Sequence, residues 1–323
     1  MGGWRGLTAV AAVILLGPVP VSLLAFPARA TTTSASARAS SAGARASSAS
    51  CRSSVHPALA ARLARDIDRA RHGRVSAVAV RVDDPGNSVQ CWLNSSTHFD
   101  SASVVKVTIL SALLRKAQQR HRQLTRTEAR LAEAMITRSD NDATSALWAD
   151  TGRYYLQHFL DLAHMTDTRL GPGAYWGLTQ ITAADEVRLL GLLLAKNSVL
   201  DASSRELALR LRSRVIPSQR WGVPAGAPTS LTVHVKNGWL PLATHGWRIN
   251  SIGCFTGRGG GYSIVVLTQD NPTMAYGIGT VEAIARAVNR DLNPAAKSRV
   301  QSTELSPSRA TPDEHVPAMA GAS

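Results

Sequence analysis

Apolar residues recur every four positions at Leu59, Leu63 and Ile67 behind Pro57, which suits a first helical turn. They predict an amphipathic helix reaching Arg71. The period then changes. Val75 to Val82 is apolar or alternating and predicts a strand, Asp83-Asp84-Pro85-Gly86-Asn87 a turn, and Val89, Cys91 and Leu93 one face of a second strand. Helical spacing returns in Ser103 to Gln118 through Val104, Val107, Leu110 and Leu114. Thr125 and Glu128 form a capping box for a helix ending near Thr137. Further helices are predicted over Ala143–Ala149, Tyr154–Ala163, from Thr182 and Asp185 through Leu194, and over Glu206–Val215. Alternation resumes in Leu231–Leu240, Trp247–Phe255 and Tyr262–Thr268, and Val281, Ile284, Val288 and Leu292 stripe a closing helix. The order predicts an α+β fold. An antiparallel sheet made from both chain ends is flanked by helices, with an all-helical lobe inserted between them and a cleft where the lobes meet.

The ends carry no such pattern. A basic start at Arg5, an apolar run from Leu7 to Phe26 and Ala28-Arg29-Ala30 predict a signal peptide over residues 1–30, cleaved after Ala30. The alternative is an uncleaved anchor in the membrane. Residues 31–54 are rich in Ser, Ala, Thr and Arg and read as a disordered linker. Residues 294–323 read as a disordered tail, leaving a domain over 55–293.

Of 323 residues, 36 are basic and 22 acidic, for a formal charge of +14, yet only five of the basic residues are lysines. Charge alone suggests nucleic acid, but no helix-turn-helix, zinc-ligand spacing or aromatic-basic pattern accompanies it, so no nucleic-acid partner is expected. An anionic cell-wall polymer suits an exported basic protein; a generic arginine-rich surface is the plain alternative. Gly257-Arg258-Gly259-Gly260-Gly261 lies between strands with no Gly-Lys-Ser/Thr after it, and reads as a hairpin, not a phosphate cradle. His158 and His164 are six apart and cannot share a helix face as ligands, so no metal is expected. Of Cys51, Cys91 and Cys254, the pairing Cys51–Cys91 is favoured, with Cys254 a buried thiol in an apolar strand; connectivity does not follow from sequence.

Three short pieces carry chemistry: Ser103-Val104-Val105-Lys106, Ser139-Asp140-Asn141 and Lys236-Asn237-Gly238. Positions i and i+3 share a helix face, so Ser103 and Lys106 can meet, and Ser103 opens its helix where free N–H groups favour a developing oxyanion. A serine hydroxyl needs a neighbouring base, and a desolvated lysine near other cations can serve. Ser-x-x-Lys alone is common by chance. The three pieces in this order, on helix, helix start and strand, are far more specific.

In these motifs the chain resembles the penicillin-recognising serine hydrolases, most of all their class A β-lactamase branch, over Pro57 to Leu292. Phe99-Asp100-Ser101-Ala102 before Ser103, Thr168-Arg169-Leu170 and Trp239 after Gly238 add to the likeness. The resemblance implies that Ser103 attacks an amide carbonyl, Lys106 activates it and Ser139 passes a proton to the leaving nitrogen. Lys236 adds positive potential, Asn141 holds the substrate's side-chain amide, and the N–H groups of Ser103 and Trp239 form the oxyanion hole. It implies no cofactor, a monomer and a β-lactam or peptidoglycan-derived amide as substrate. Asn237 stands where the family has a hydroxyl residue, its amide expected to donate to a substrate carboxylate, and Arg248 is a second candidate for that carboxylate. His234 lies two before Lys236 and either lines the cleft or packs in the strand. Trp221, Trp239 and Trp247 are open between the same two roles. The family's loop glutamate is missing: residues 170–184 contain no Asp or Glu. Deacylation is therefore expected to be slow unless Lys106 or Asp167 supplies the base. Alternatives are a D-alanyl-D-alanine peptidase, another amidohydrolase, or a cell-wall binding protein without turnover.

Overall fold

A computed structural model describes residues 47–71, 78–242, 244–258 and 260–294. The elements are β1 (Ser50–Ser53), α1 (Pro57–Ala70), β2 (Val78–Asp84), β3 (Val89–Leu93), β4 (Phe99–Asp100), α2 (Val105–Gln119), α3 (Arg126–Thr137), α4 (Asn141–Leu162), β5 (Gln180–Ile181), α5 (Ala183–Leu194), α6 (Ala202–Ser213), β6 (Thr232–Pro241), β7 (Trp247–Gly257), β8 (Gly260–Asn271) and α7 (Met274–Leu292). Short 3-10 turns at Ala102–Val104, Trp176–Leu178 and Pro217–Gln219 punctuate them. The α+β expectation holds. Six strands pair antiparallel in the order β1-β3-β2-β8-β7-β6, so the two chain ends meet at β2 and β8.

Alternation along the strands builds two cores, one on each side of the sheet. In β8, Ile264 and Val266 pack with Leu63 and Ile67 of α1 and Val281, Ile284 and Val288 of α7. Their neighbours Val265 and Leu267 join the core of α2 to α6 on the other side. In β6, Val233 and Val235 belong to the first core. Period two therefore turns His234 and Lys236 toward the helical lobe.

Several boundaries differ from the sequence reading. Residues 50–53, assigned to the linker, form β1, an edge strand whose Cys51 lies opposite Cys91 and is joined to it by a disulfide. Cys254 is free and buried. The signal peptide and most of the linker and tail lie outside the described residues. β2 runs on through Asp84, because Asp83 and Asp84 pair with Gln90 and Val89 and the turn needs only the residues after them. α6 starts at Ala202, because Asp201 caps it by accepting from the Ser204 amide. The small sheet of β4 and β5 was not expected, since two-residue strands carry no period. The two helices foreseen in the middle form one run, α4, kinked at Gly152 (φ 78°), a left-handed conformation that suits glycine.

Candidate active site

Ser103 lies in the 3-10 turn that leads directly into α2, one residue after Ala102, whose φ of 46° is left-handed. The turn is pinned from two sides. The Ser101 amide donates to the Thr179 carbonyl (2.8 Å), and Asn250 of β7, fully buried, donates through Nδ2 to the carbonyls of Asp100 (2.9 Å) and Ser101 (3.3 Å). Ser103 is 4% exposed. Lys106 follows one turn later and is buried.

Lys106 Nζ donates to the Ser139 carbonyl (2.8 Å), to Ser139 Oγ (3.0 Å) and to Asn141 Oδ1 (2.7 Å). Ser139 bridges α3 and α4 with a left-handed φ of 57°. Asp140, next to it, caps α4 by accepting from the Ala143 amide (2.8 Å). A non-glycine residue held there costs about 1–3 kcal/mol, which the surrounding fold must offset. Lys236 reaches Ser139 Oγ from the strand (2.9 Å) and also donates to the Asn237 carbonyl (2.7 Å). Two amines thus meet on one hydroxyl, separated by no more than two hydrogen-bond lengths.

Strand β6 is the sheet's edge and lies against the Ser103 turn at Gly238. A Cβ there would fall 2.7 Å from the Ser101 carbonyl oxygen and 2.9 Å from the Ser103 nitrogen. Only glycine allows this approach, which brings the Gly238–Trp239 backbone beside the Ser103 amide.

Two expected carboxylate contacts are not on offer. Alternation turns Asn237 to the face opposite Lys236, where Nδ2 donates to the carbonyls of Gln219 and Trp221 (both 2.9 Å). The amide ties the preceding loop to the strand. Arg248 is 2% exposed; its Nε donates to Asp100 Oδ2 (2.9 Å) and its Nη1 to the carbonyls of Thr244 and Gly246. A buried guanidinium requires such a counterion, and Asp100 supplies it. His234 packs in the strand: Nδ1 donates to the Leu209 carbonyl (2.8 Å) and Nε2 accepts from Thr256 Oγ1 (2.9 Å). Burial, with Arg212 and Arg220 nearby, lowers its pKa to about 4. Trp221 is buried in the α1/α7 core, and Trp239 and Trp247 pack against it half-buried. His158 stacks on Tyr154. Asp167 is placed by its own backbone, its amide donating to Asp185 and its carbonyl accepting from His98. Among the described residues no group of His, Cys, Asp and Glu is arranged to hold a metal ion.

Sequence reasoning missed three residues of the site. Asn250 was signalled only as a polar residue in an apolar strand, and Asp100 as an acid before the serine turn. Trp176 gave no periodic signal at all; its ring lies 4.8 Å from Lys106 Nζ.

Comparison with known proteins bears on the family and the fold. The chain matches the profile of the β-lactamase enzyme family over residues 125–292. No curated protein matches it. Among solved structures it resembles a β-lactamase from Sphaerobacter thermophilus (20% identity, TM-score 0.61, 72% of this chain and 97% of that one). It also resembles a β-lactamase from Chitinophaga pinensis (16%, 0.62, 72% and 99%) and a class A β-lactamase representative from Bacteroides cellulosilyticus (18%, 0.62, 72% and 99%). At such identities the likeness is one of fold. The family match covers about half of the chain, including the Ser139 and Lys236 motifs, and the fold brings both of their side chains to Lys106; the chain belongs to the β-lactamase enzyme family and is a serine hydrolase acting on amide bonds.

Proposed function

We propose that this is an exported hydrolase that opens β-lactams or related amides through an acyl-enzyme on Ser103 and releases the acyl group slowly. The observation that carries the reading is the meeting of Lys106 and Lys236 on Ser139 Oγ, one helical turn from Ser103. Two ammonium ions this close in a buried site repel, which favours a neutral amine at one of them. A neutral Lys106 has two N–H groups for its oxygen partners and one lone pair, which takes the Ser103 proton as Oγ adds to the carbonyl carbon. The proton then passes by way of Ser139 Oγ to the leaving nitrogen as the C–N bond breaks, and the Lys236 ammonium holds Ser139 in place. The Ser103 amide and the edge-strand N–H of Trp239 face the oxyanion; one such donor is typically worth about 10²–10³ in rate. With Asn237 and Arg248 engaged elsewhere, Lys236 is the cation we assign to the substrate carboxylate.

Slow release follows from residues 170–184, which hold no carboxylate. Export is supported by the N-terminal pattern and by the Cys51–Cys91 disulfide, which suits an oxidising compartment. N-terminal sequencing of the secreted protein should begin at Thr31. The catalytic test mixes pure protein with a reporter cephalosporin. A stoichiometric burst followed by slow turnover is expected. Fast sustained turnover refutes slow release, and cleavage of a D-alanyl-D-alanine peptide with no lactam burst reassigns the substrate.

A further inference from the structure

We propose that Trp176 acts as a fixed roof over the Lys106 amine and thereby sets how long the acyl group stays on Ser103. The inference rests on the acyl-enzyme reading and names the residue that governs its second half-reaction.

The indole is 2% exposed and its ring stands over Lys106 Nζ at cation–π distance. It is held there from several directions. Its Nε1 donates to Ser145 Oγ (3.1 Å), a residue on α4 one turn beyond Asn141. The loop around it is strapped to the same helix, since Trp148 Nε1 donates to the Gly173 carbonyl (3.0 Å) and Arg153 Nη1 to the Gly171 carbonyl (2.9 Å). The loop is also closed on itself. The Gly171 amide donates to Thr179 Oγ1 (3.1 Å), and a Cβ at Gly171 would lie 2.1 Å from the Tyr175 carbonyl oxygen. Thr179 then accepts from the Ser101 amide, so the roof and the nucleophile turn share one support. The helix that begins at Asn141, directly after the Ser139 turn, therefore also holds the tryptophan over Lys106.

The chemical consequence concerns water. To release the acyl group, a water oxygen adds to the ester carbonyl carbon and one of its protons passes to a base. The bond from that carbon to Ser103 Oγ then breaks, and Oγ takes up a proton. With no carboxylate on the loop, the candidate base is the Lys106 amine. That amine donates toward Ser139 and Asn141 and is covered by an apolar ring on its loop side. The ring's one polar group is spent on Ser145. A water reaching Lys106 from the loop meets carbon instead of a hydrogen-bonding partner.

The test follows the adduct of benzylpenicillin on full-length protein by intact mass, measuring its formation and its decay separately for wild type and for Trp176→Phe, Trp176→Gln and Trp176→Ala. Opening the roof should shorten the adduct lifetime relative to its formation rate by about tenfold or more in the Ala and Gln variants. Phe, which restores a ring over the amine, should return the ratio toward wild type. A purely structural role would slow formation and leave the decay unchanged. Should Trp176→Ala fail to fold, Trp176→Gln fills most of the volume and decides alone. Equal adduct lifetimes in wild type and Gln overturn the role of Trp176 and leave the acyl-enzyme standing. No adduct on wild-type Ser103 overturns the acyl-enzyme reading and this inference with it.

Discussion

Lys106 and Lys236 are buried with their nitrogens on Ser139, and each donates at 2.7–3.0 Å to oxygen acceptors. Arg212, also fully buried and on the same side of the sheet, is served far less well. It donates to the Ile252 carbonyl at 3.3 Å and to the Cys254 sulfur at 3.6 Å, and its Nε has no partner. The nearby Glu186 is buried with both carboxyl oxygens unpartnered, and burial raises its pKa to about 8, so it holds its proton at neutral pH. Both clusters bear the cost of taking cations out of water. What separates them is convergence. In the first, two amines share a hydroxyl able to relay a proton toward a serine. In the second, the charge meets a carbonyl, a thiol and a protonated acid, none aimed at a common atom. Buried charge by itself is weak evidence of function; buried charge converging on a transferable proton is strong evidence.

The contrast is broken most forcefully at the proposed nucleophile. Ser103→Ala should abolish the mass adduct and reduce lactam turnover about 10⁴-fold or more, read by mass spectrometry and by the reporter assay. Lys236→Ala should follow, slowing acylation about 10²–10³-fold while the protein still melts cooperatively. If acylation survives that change intact, the two amines do not act on one hydroxyl as described. The second cluster should respond in the opposite sense. Arg212→Met should leave acylation within about threefold and stability unchanged or raised by about 1–3 kcal/mol, since a hydrophobic side chain of similar volume replaces an ill-satisfied cation. A clear drop in thermal midpoint would show that its two bonds outweigh desolvation.

Smaller effects come from pH, and the two groups flanking Arg212 have opposite signs. His234 binds its proton less readily when folded. Its contribution is complete above the unfolded pKa near 6.5 and is lost as pH falls toward 4, at most about 3 kcal/mol. Glu186 binds its proton more readily when folded. Its contribution is complete below pH 4.5 and is lost as pH rises through 8. Thermal melts across pH 4 to 9 should therefore flatten on the acid side in His234→Gln and on the alkaline side in Glu186→Gln. A wild-type slope unchanged in either variant removes that group from the balance.

The elements were largely legible because each rests on local periodicity. The α1 stripe, the Thr125–Glu128 box and the alternation of β8 all appear where the apolar spacing set them. The site was legible in part. Ser103 and Lys106 are neighbours by helix geometry alone, and the Ser139 and Lys236 motifs announced themselves by type and order. Asn237 was misjudged although its alternation with Lys236 was available, because the motif's meaning was read ahead of the strand's geometry. Arg248 could not have been assigned, since its partner Asp100 is 148 residues away and nothing local links them. Trp176 was invisible for the same reason: an irregular loop has no period, and the target of its ring is set by how that loop is strapped to α4.

By itself, then, the sequence determined which faces are buried, where helices begin, and which three motifs are the candidates for the site, because these depend on spacing within a few residues. Only the tertiary structure decided that two lysines share one serine hydroxyl, that two prospective anion contacts are already engaged, and that an indole covers the Lys106 amine. Those outcomes depend on packing between distant segments, where the partner closest in space, and not in the chain, fixes what each polar group does.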